Sequence, residues 1–373
     1  MSSSRFVSKL YRGETRIDFI GTRKRWYLAS LVLIVLCVGS MVFRGFNVGI
    51  DFKGGTQFQV KAANTSITTS SAEAAMVKAG HPTESAAQEV GAGATRQIVL
   101  KTKELSLGEA AAVQKSLAQT LHVDATNSIS TDLVSSSWGS EITKKAVQGL
   151  VVFLLVVFVY IAVRFEWKMA IGALTALLHD LIIAAGIYSI VGFELTPSTI
   201  VGLLTILGFS LYDTVVVFDK VAENSRDLAA TAQMTYAEAA NMAVNQTLMR
   251  SINTSLISLL PVAGLLFVGA GLLGVGTIKD LALILFVGLA IGAYSSLFLA
   301  TPVVVDLKER EPEYKNLTKR VQAKRSSART PAAEPALAGV AGVAGVATAQ
   351  RGKPAPAPRP GARPASRPAK RRP

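Results

Sequence analysis

Apolar residues along this chain gather into six long runs: Trp26 to Phe43, Ala146 to Val163, Met169 to Val191, Thr199 to Phe218, Ser251 to Leu273 and Leu281 to Val305. Each is about as long as a helix needs to cross roughly 30 Å of hydrocarbon, so the pattern predicts six membrane-spanning helices. Between the first two runs the period shortens. Alternation in Thr56-Gln57-Phe58-Gln59-Val60 and Arg96-Gln97-Ile98-Val99-Leu100 predicts half-buried strands. Ser70/Ser71 and Ser106 stand as N-caps ahead of alanine-rich, periodic segments. The resulting order is strand (Gly55 to Lys61), helix (Ser71 to Ala79), strand (Ala86 to Val90), strand (Arg96 to Thr102), helix (Leu107 to Leu121) and strand (Asn127 to Val134). That β-α-β-β-α-β order is the ferredoxin-like split βαβ unit. The expected fold is thus a polytopic α-helical membrane protein with six transmembrane helices and an extracytoplasmic α+β ferredoxin-like domain between the first and second helices.

Composition agrees with burial in lipid. Hydrophobic residues make up 50% and charged residues 17%, with a mean hydropathy of +0.38, whereas soluble chains carry about a quarter charged residues. The net charge of +14 is uneven: about +5 lies in Met1 to Trp26 and about +12 from Lys308 onward. Basic loops face the cytoplasm. Arg164 to Lys168 and the stretch with Lys220, Arg226 and Arg250 therefore fall inside, while Gly192 to Ser198, without a basic residue, falls outside. Both termini are expected in the cytoplasm. The first run follows Arg23-Lys24-Arg25 and has no A-x-A-like cleavage site after it, so it reads as an uncleaved anchor.

The domain plan that follows is a basic amino-terminal segment (1–25), a first membrane helix (26–43), an extracytoplasmic domain (44–145), a five-helix membrane bundle (146–307) and a basic, mostly disordered tail (308–373). From Ala323 the tail is rich in Ala, Pro, Arg and Lys and cannot bury enough apolar surface to fold. It reads as a solvated segment that helps fix orientation, or as one resting on anionic lipid or ribosomal RNA. Cys37 in an apolar run reads as a small core residue, and His81 and His122 as ordinary surface residues. The inserted segment has no His, Cys or carboxylate cluster at ligand spacing, so no metal, cofactor or hydrolytic centre is assigned.

Polar residues inside the spans carry the candidate chemistry. Asp213 is an acid within an otherwise apolar run, and an ionisable group at such depth costs a few kcal/mol. Gly202, Ile206, Phe209/Ser210 and Asp213 lie near one helical face, and Gln246, Arg250, Asn253/Thr254 and Ser258 form a stripe on the next helix. A short connection makes these helices antiparallel, which puts Asp213 and Arg250 at similar depth and within reach of each other. An Asp beside a fixed cation stays ionised, and one moved into an apolar setting picks up a proton. His179-Asp180 on the third span adds a second acid. The competing role for such groups is to glue helices together, and Gly288, Gly292 and Ser296 read as a packing face.

Several strings together resemble the SecF subunits of the SecDF protein-export complex, in the resistance-nodulation-division superfamily. They are Gly49-Ile50-Asp51-Phe52-Lys53-Gly54-Gly55-Thr56, Leu178-His179-Asp180, the run Leu204 to Asp219, Asn245-Gln246-Thr247-Leu248-Met249-Arg250-Ser251 and Tyr294-Ser295-Ser296. The resemblance covers roughly residues 15 to 307 and excludes the basic tail. It implies a non-enzymatic partner of SecD beside the SecYEG channel that uses the proton motive force to move preproteins out after the SecA motor has pushed them. It further implies that Asp213 and Arg250 belong to the proton path with an acid on SecD, that Asp180 joins them, and that Asp51, Gly54 and Gly55 form a structural coupling motif. A small-molecule exporter subunit of the same superfamily and a non-transporting membrane scaffold are the alternatives.

Overall fold

The computed structural model describes residues 15, 17–62, 66–272 and 276–329. In chain order the elements are α1 (Arg23–Phe43), β1 (Asn47–Val48), α2 (Ile50–Lys53), β2 (Gly55–Lys61), α3 (Thr69–Lys78), β3 (Gln88–Val90), β4 (Gln97–Thr102), α4 (Leu107–Leu121), α5 (Ala125–Ser128) and β5 (Ile129–Val134). They continue with α6 (Ser136–Arg164), α7 (Trp167–Val191), β6 (Glu194–Leu195), α8 (Pro197–Ser225), α9 (Leu228–Thr231), α10 (Tyr236–Gly264), α11 (Gly276–Ser295), α12 (Thr301–Lys308) and α13 (Pro312–Arg329). A π-helical turn, Ser296–Ala300, joins α11 to α12 without a break, and another, Leu265–Leu272, prolongs α10.

Among the described residues six helices are long and apolar enough to cross a membrane: Arg23–Phe43, Ser136–Arg164, Trp167–Val191, Pro197–Thr231, Tyr236–Gly269 and Lys279–Lys308. Several outrun the apolar runs that mark them. α6 starts at Ser136, capped by the Ser135 hydroxyl on the Trp138 N–H, and α10 starts at Tyr236 in a capping box between Thr235 and Glu238. Hydropathy marks only the part of a helix that lies in lipid, while caps mark where the helix begins.

The inserted domain has a four-stranded antiparallel sheet in the order β3-β4-β2-β5, with Phe58 opposite Leu100 on one side and Thr131 on the other. The period-2 pattern turns Phe58, Val60, Ile98 and Leu100 toward Met76 of α3 and Val113 and Leu117 of α4, all fully or almost fully buried. Boundaries moved slightly from the sequence reading. Thr68, not Ser70/Ser71, caps α3 in a capping box with Ser71. Asp124 caps the extra turn α5, which delays β5 to Ile129. The opposite sheet face, with Gln57, Gln59 and Lys101, opens onto a cavity of about 920 Å³ that Glu194 and Asp280 also line.

The domain meets the helices at a compact junction. β1 pairs in parallel with β6, Asn47 beside Glu194 and Val48 beside Leu195. The Lys101 ammonium of β4 pairs with the Glu194 carboxylate, and both side chains are largely buried. Gly54 has φ +79°, and a Cβ there would stand 2.6 Å from the backbone N of Ser136. Only glycine allows the chain to turn while the start of α6 presses against it. Next to it Asp51 is half-buried, and burial together with the nearby Glu194 carboxylate raises its pKa above the usual aspartate value.

α13 occupies part of the segment read as tail. Leu317 and Val321 are buried in the main core, Arg325 pairs with Glu238 at 2.7 Å, and the Arg320 guanidinium donates to the Ala229 carbonyl at 3.0 Å. These tertiary contacts extend the helix past Ala323, where composition alone predicts none. The rest of the tail lies outside the described residues.

Two outcomes test this junction. Gly54→Ala is expected to destabilise the protein by roughly 1–3 kcal/mol, from backbone strain and the clash with Ser136, measured as the unfolding midpoint of the full chain in detergent. For Asp51 the folded-state pKa is raised, so its stabilising protonated form is fully present below the unfolded value of about 3.9 and is lost as pH rises through the folded value. Asp51→Asn should therefore raise the unfolding midpoint at about pH 7.5 and leave it near wild type at about pH 4; an equal effect at both values would remove the carboxylate's charge as the cause.

Candidate functional site

The buried polar centre lies where α7, α8, α10 and the π-turn after α11 meet. On α8 the 3.6-residue period places Gly202, Ile206, Ser210 and Asp213 on the inner face, all buried. Phe209, which the sequence reading allowed on that face, turns outward at 44% exposure. α11 can lie close because its small residues receive the α8 side chains. A Cβ on Gly288 would fall 2.1 Å from Ile206, and one on Gly292 3.1 Å from Ser210.

That closeness lets short hydroxyl side chains reach the acids. Asp213 accepts a hydrogen bond at Oδ1 from the Ser251 hydroxyl of α10, at 2.7 Å, and at Oδ2 from the Ser296 hydroxyl, at 2.6 Å. Asp180 of α7 accepts at Oδ2 from Ser210, at 2.6 Å, and from Ser295, at 2.8 Å. Its Oδ1 lies 3.2 Å from His179 Nδ1. Consecutive residues on a helix point about 100° apart, so Ser295 and Ser296 serve two different acids from one turn. The π-turn that begins at Ser296 precedes Pro302, which lacks the N–H needed to bond the Phe298 carbonyl.

Beside Asp213 a cavity of about 20 Å³ is bordered by Thr254, Ser255 and Ser258 together with Ser210 and Gly292. That is space for about one water molecule among polar partners. A carboxylate held by two hydroxyl groups next to such a space can exist in two forms. Ionised, it accepts from both serines. Protonated, it must itself donate, so one hydroxyl has to turn away.

The structure corrects the expected pairing of Asp213 with Arg250. Among the described residues Arg250 makes no ion pair with Asp213; its guanidinium donates to the Tyr212 hydroxyl at 3.0 Å, on the outside of the bundle. The reason is rotational. Ser251 occupies the face toward Asp213, so Arg250, one residue earlier, points past it. Tyr212, one residue before Asp213, turns to the same side. Ser296, expected to serve packing, is a donor to the acid, and Ser251, the last residue of the string that begins at Asn245, is the other. The signal available was the string Tyr294-Ser295-Ser296, two adjacent hydroxyls within an apolar run. Asp51, Gly54 and Gly55 gather at the junction of the inserted domain, away from this centre. Among the described residues no group of three or more His, Cys, Asp or Glu is placed to hold a metal ion.

Comparison with known proteins fits this arrangement. The model of the family "Protein export membrane protein SecD/SecF, C-terminal" matches residues 113–310, and that of the "SecD/SecF GG Motif" matches residues 39–65. The chain is 47% identical over 86% of its length to a protein named protein translocase subunit SecF from Streptomyces coelicolor, covering 84% of that protein. It is also 47% identical, over 86% of its length, to the protein of that name from Mycobacterium tuberculosis, covering 74% of it. A crystal structure of SecDF from Thermus thermophilus, described as a translocon-associated membrane protein, superposes with a TM-score of 0.70 at 33% identity. That match takes in 80% of this chain and 39% of the longer SecDF chain. With a family model over more than half of its residues and near relatives along most of its length, the chain belongs to the SecF family of protein-export membrane proteins.

Proposed function

We propose that this protein is an auxiliary subunit of the Sec translocase in the cytoplasmic membrane, where it acts with SecD and couples proton entry to the export of preproteins through the SecYEG channel, with SecA as the motor on the inner side. The observation that carries the proposal is the buried Asp213 carboxylate, held by hydroxyl groups from two other helices and by no cation among the described residues. Protonation reverses one of those hydrogen bonds and loosens α8 from α10 or from the sixth span. One charge crossing about 100 mV supplies about 2.3 kcal/mol, comparable with such a hydrogen bond to a charged group.

Arg250 has a matching role. It stands on an outer face with Tyr212, beside the uncovered apolar surface of α10 at Ile257 and Leu260, which are 72% and 77% exposed. A cation on such a face calls for an acid from another chain, and an acid of SecD fits that need. Asp180 is the second carboxylate of the path. The basic loops argue for cytoplasmic termini and an extracytoplasmic inserted domain. The strand order of that domain, with its helices on one face, supports reading it as a ferredoxin-like split βαβ unit. Asp51, Gly54 and Gly55 then couple this domain to the first span and to α6.

The decisive measurement is gradient-driven export in vesicles containing the full chain, its SecD partner and the channel. Asp213→Asn is expected to reduce export to the gradient-independent level, and an unchanged response to the gradient would end the proton-path reading. Arg250→Ala should give the same loss, with Arg250→Lys restoring part of it, because a charge at that place is what the partner's acid needs. Ser251→Ala and Ser296→Ala each remove a hydrogen bond to a charged group and should destabilise by roughly 1.5–3 kcal/mol. Those costs should shrink when Asp213→Asn is already present, as a double-mutant cycle of unfolding midpoints would reveal.

A further inference from the structure

His179 is used by nothing described so far. Its side chain is 2% exposed, Nδ1 faces Asp180, and Nε2 is a buried nitrogen with no hydrogen-bond partner. A histidine kept only to glue helices would be expected to satisfy both nitrogens, since an unpaired buried polar atom is costly. Beside it lies an open-sided, largely apolar cleft of about 340 Å³ between α1 and α7, in which Tyr27, Ser30 and Thr175 stand among Leu31, Ile34 and Leu178. On the far side of the dyad, Asp180 shares the Ser295–Ser296 turn with Asp213.

We propose that His179 and Asp180 form a second proton-binding centre, loaded at His179 Nε2 through the cleft between the first and third membrane helices and coupled to Asp213 through the Ser295–Ser296 turn. The proposal rests on the proton-coupled reading above. In the resting state the neutral ring carries its hydrogen on Nδ1 and donates it to Asp180 Oδ1. A proton arriving from the cleft forms an N–H bond at Nε2. The Nδ1–H bond then breaks as an O–H bond forms on Asp180, which leaves a neutral ring of the other tautomer and a neutral carboxylic acid. One proton has moved from cleft to acid, and no other reactant is needed. A neutral Asp180 no longer requires two hydroxyl donors. Ser295 is then released, and Ser296, its neighbour in the chain, is moved at Asp213.

The groups facing the dyad are consistent with this role. From α11 the Tyr294 ring lies with its centroid 5.9 Å from that of His179, and its hydroxyl is 3.1 Å from that of Ser30. From α1, Tyr27 borders the cleft, and its hydroxyl donates to Asp306 at 2.8 Å, an acid in turn held by Arg23 at 3.0 Å. From α8 comes the Ser210 hydroxyl, one turn from Asp213.

The test uses the full chain reconstituted with its partner and the channel, with export followed as a function of pH under an imposed gradient. His179→Gln keeps a hydrogen-bonding side chain that cannot pass a proton. It is expected to lose about tenfold or more of the gradient-driven rate and to flatten the pH dependence, while still co-purifying with the partner at the wild-type yield. In parallel, the ring nitrogens of the chain's three histidines are followed by 15N NMR in lipid nanodiscs. The His179 signals should show the hydrogen on Nδ1, facing Asp180, and that preference should be lost in Asp180→Asn. If Asp213→Asn exports normally, the proton-coupled reading itself has failed. If Asp213→Asn is blocked but His179→Gln keeps the wild-type rate and pH profile, the second centre alone is overturned. A wild-type His179 whose hydrogen sits on Nε2, with Nδ1 bare toward Asp180, overturns it even where the substituted chain does not assemble.

Discussion

Everything in the membrane core depends on holding two carboxylates away from water with, among the described residues, no cation in hydrogen-bonding contact. The desolvation penalty for a buried charge is several kcal/mol, and here serine hydroxyls offset part of it, each such hydrogen bond contributing about 1.5–3 kcal/mol. Serine is short, so its hydroxyl reaches a neighbouring helix only where the two backbones nearly touch. The glycines at 288 and 292, which receive Ile206 and Ser210, are what allow this on the α8 side. Helix packing and acid chemistry are therefore one requirement: widen the gap between these helices and the acids lose their donors.

Charged pairs are placed differently. Lys101 with Glu194 stands at one end of the bundle, while Lys168 with Glu311, Lys308 with Glu166, and Arg23 with Asp306 and Glu309 gather at the other. Ion pairs thus pin the ends, where water and backbone groups can share the cost of burial. Hydroxyls serve the middle, where a fixed cation would hold an acid permanently ionised. Arg250 stands apart from both arrangements, turned outward with its guanidinium on the Tyr212 hydroxyl.

Much of this was legible in the sequence, and the exceptions have definite causes. Run length alone located the six spans, because no other soluble or irregular element needs about 20 apolar residues in succession. Alternation and caps located the inserted domain to within a few residues, and a 100° periodicity put Gly202, Ile206 and Asp213 on one face. The partner of Asp213 was not legible. Whether Arg250 or Ser251 faces it depends on the rotation of α10, which is set by packing along its whole length and not by local pattern. Ser296 continues the face of Gly288 and Gly292, and a small residue on a packing face carries no sign in the sequence that its hydroxyl reaches an acid. The helix Pro312–Arg329 has too little apolar character to announce itself, and only Leu317, Val321 and the Arg325–Glu238 pair explain it.

The contact between Gly54 and Ser136 bears on how such a protein is assembled from parts. The chain leaves for the inserted domain at one glycine and returns beside it at Ser136, and the Lys101–Glu194 pair ties the sheet to the bundle a second time. To the membrane helices, residues 55–135 are a closed loop whose ends already touch. Loop-closure cost grows only slowly with length once the ends are fixed together. A change of length within that domain accordingly costs the six helices little, as long as the glycine keeps its contact with the start of α6 and Lys101 keeps Glu194.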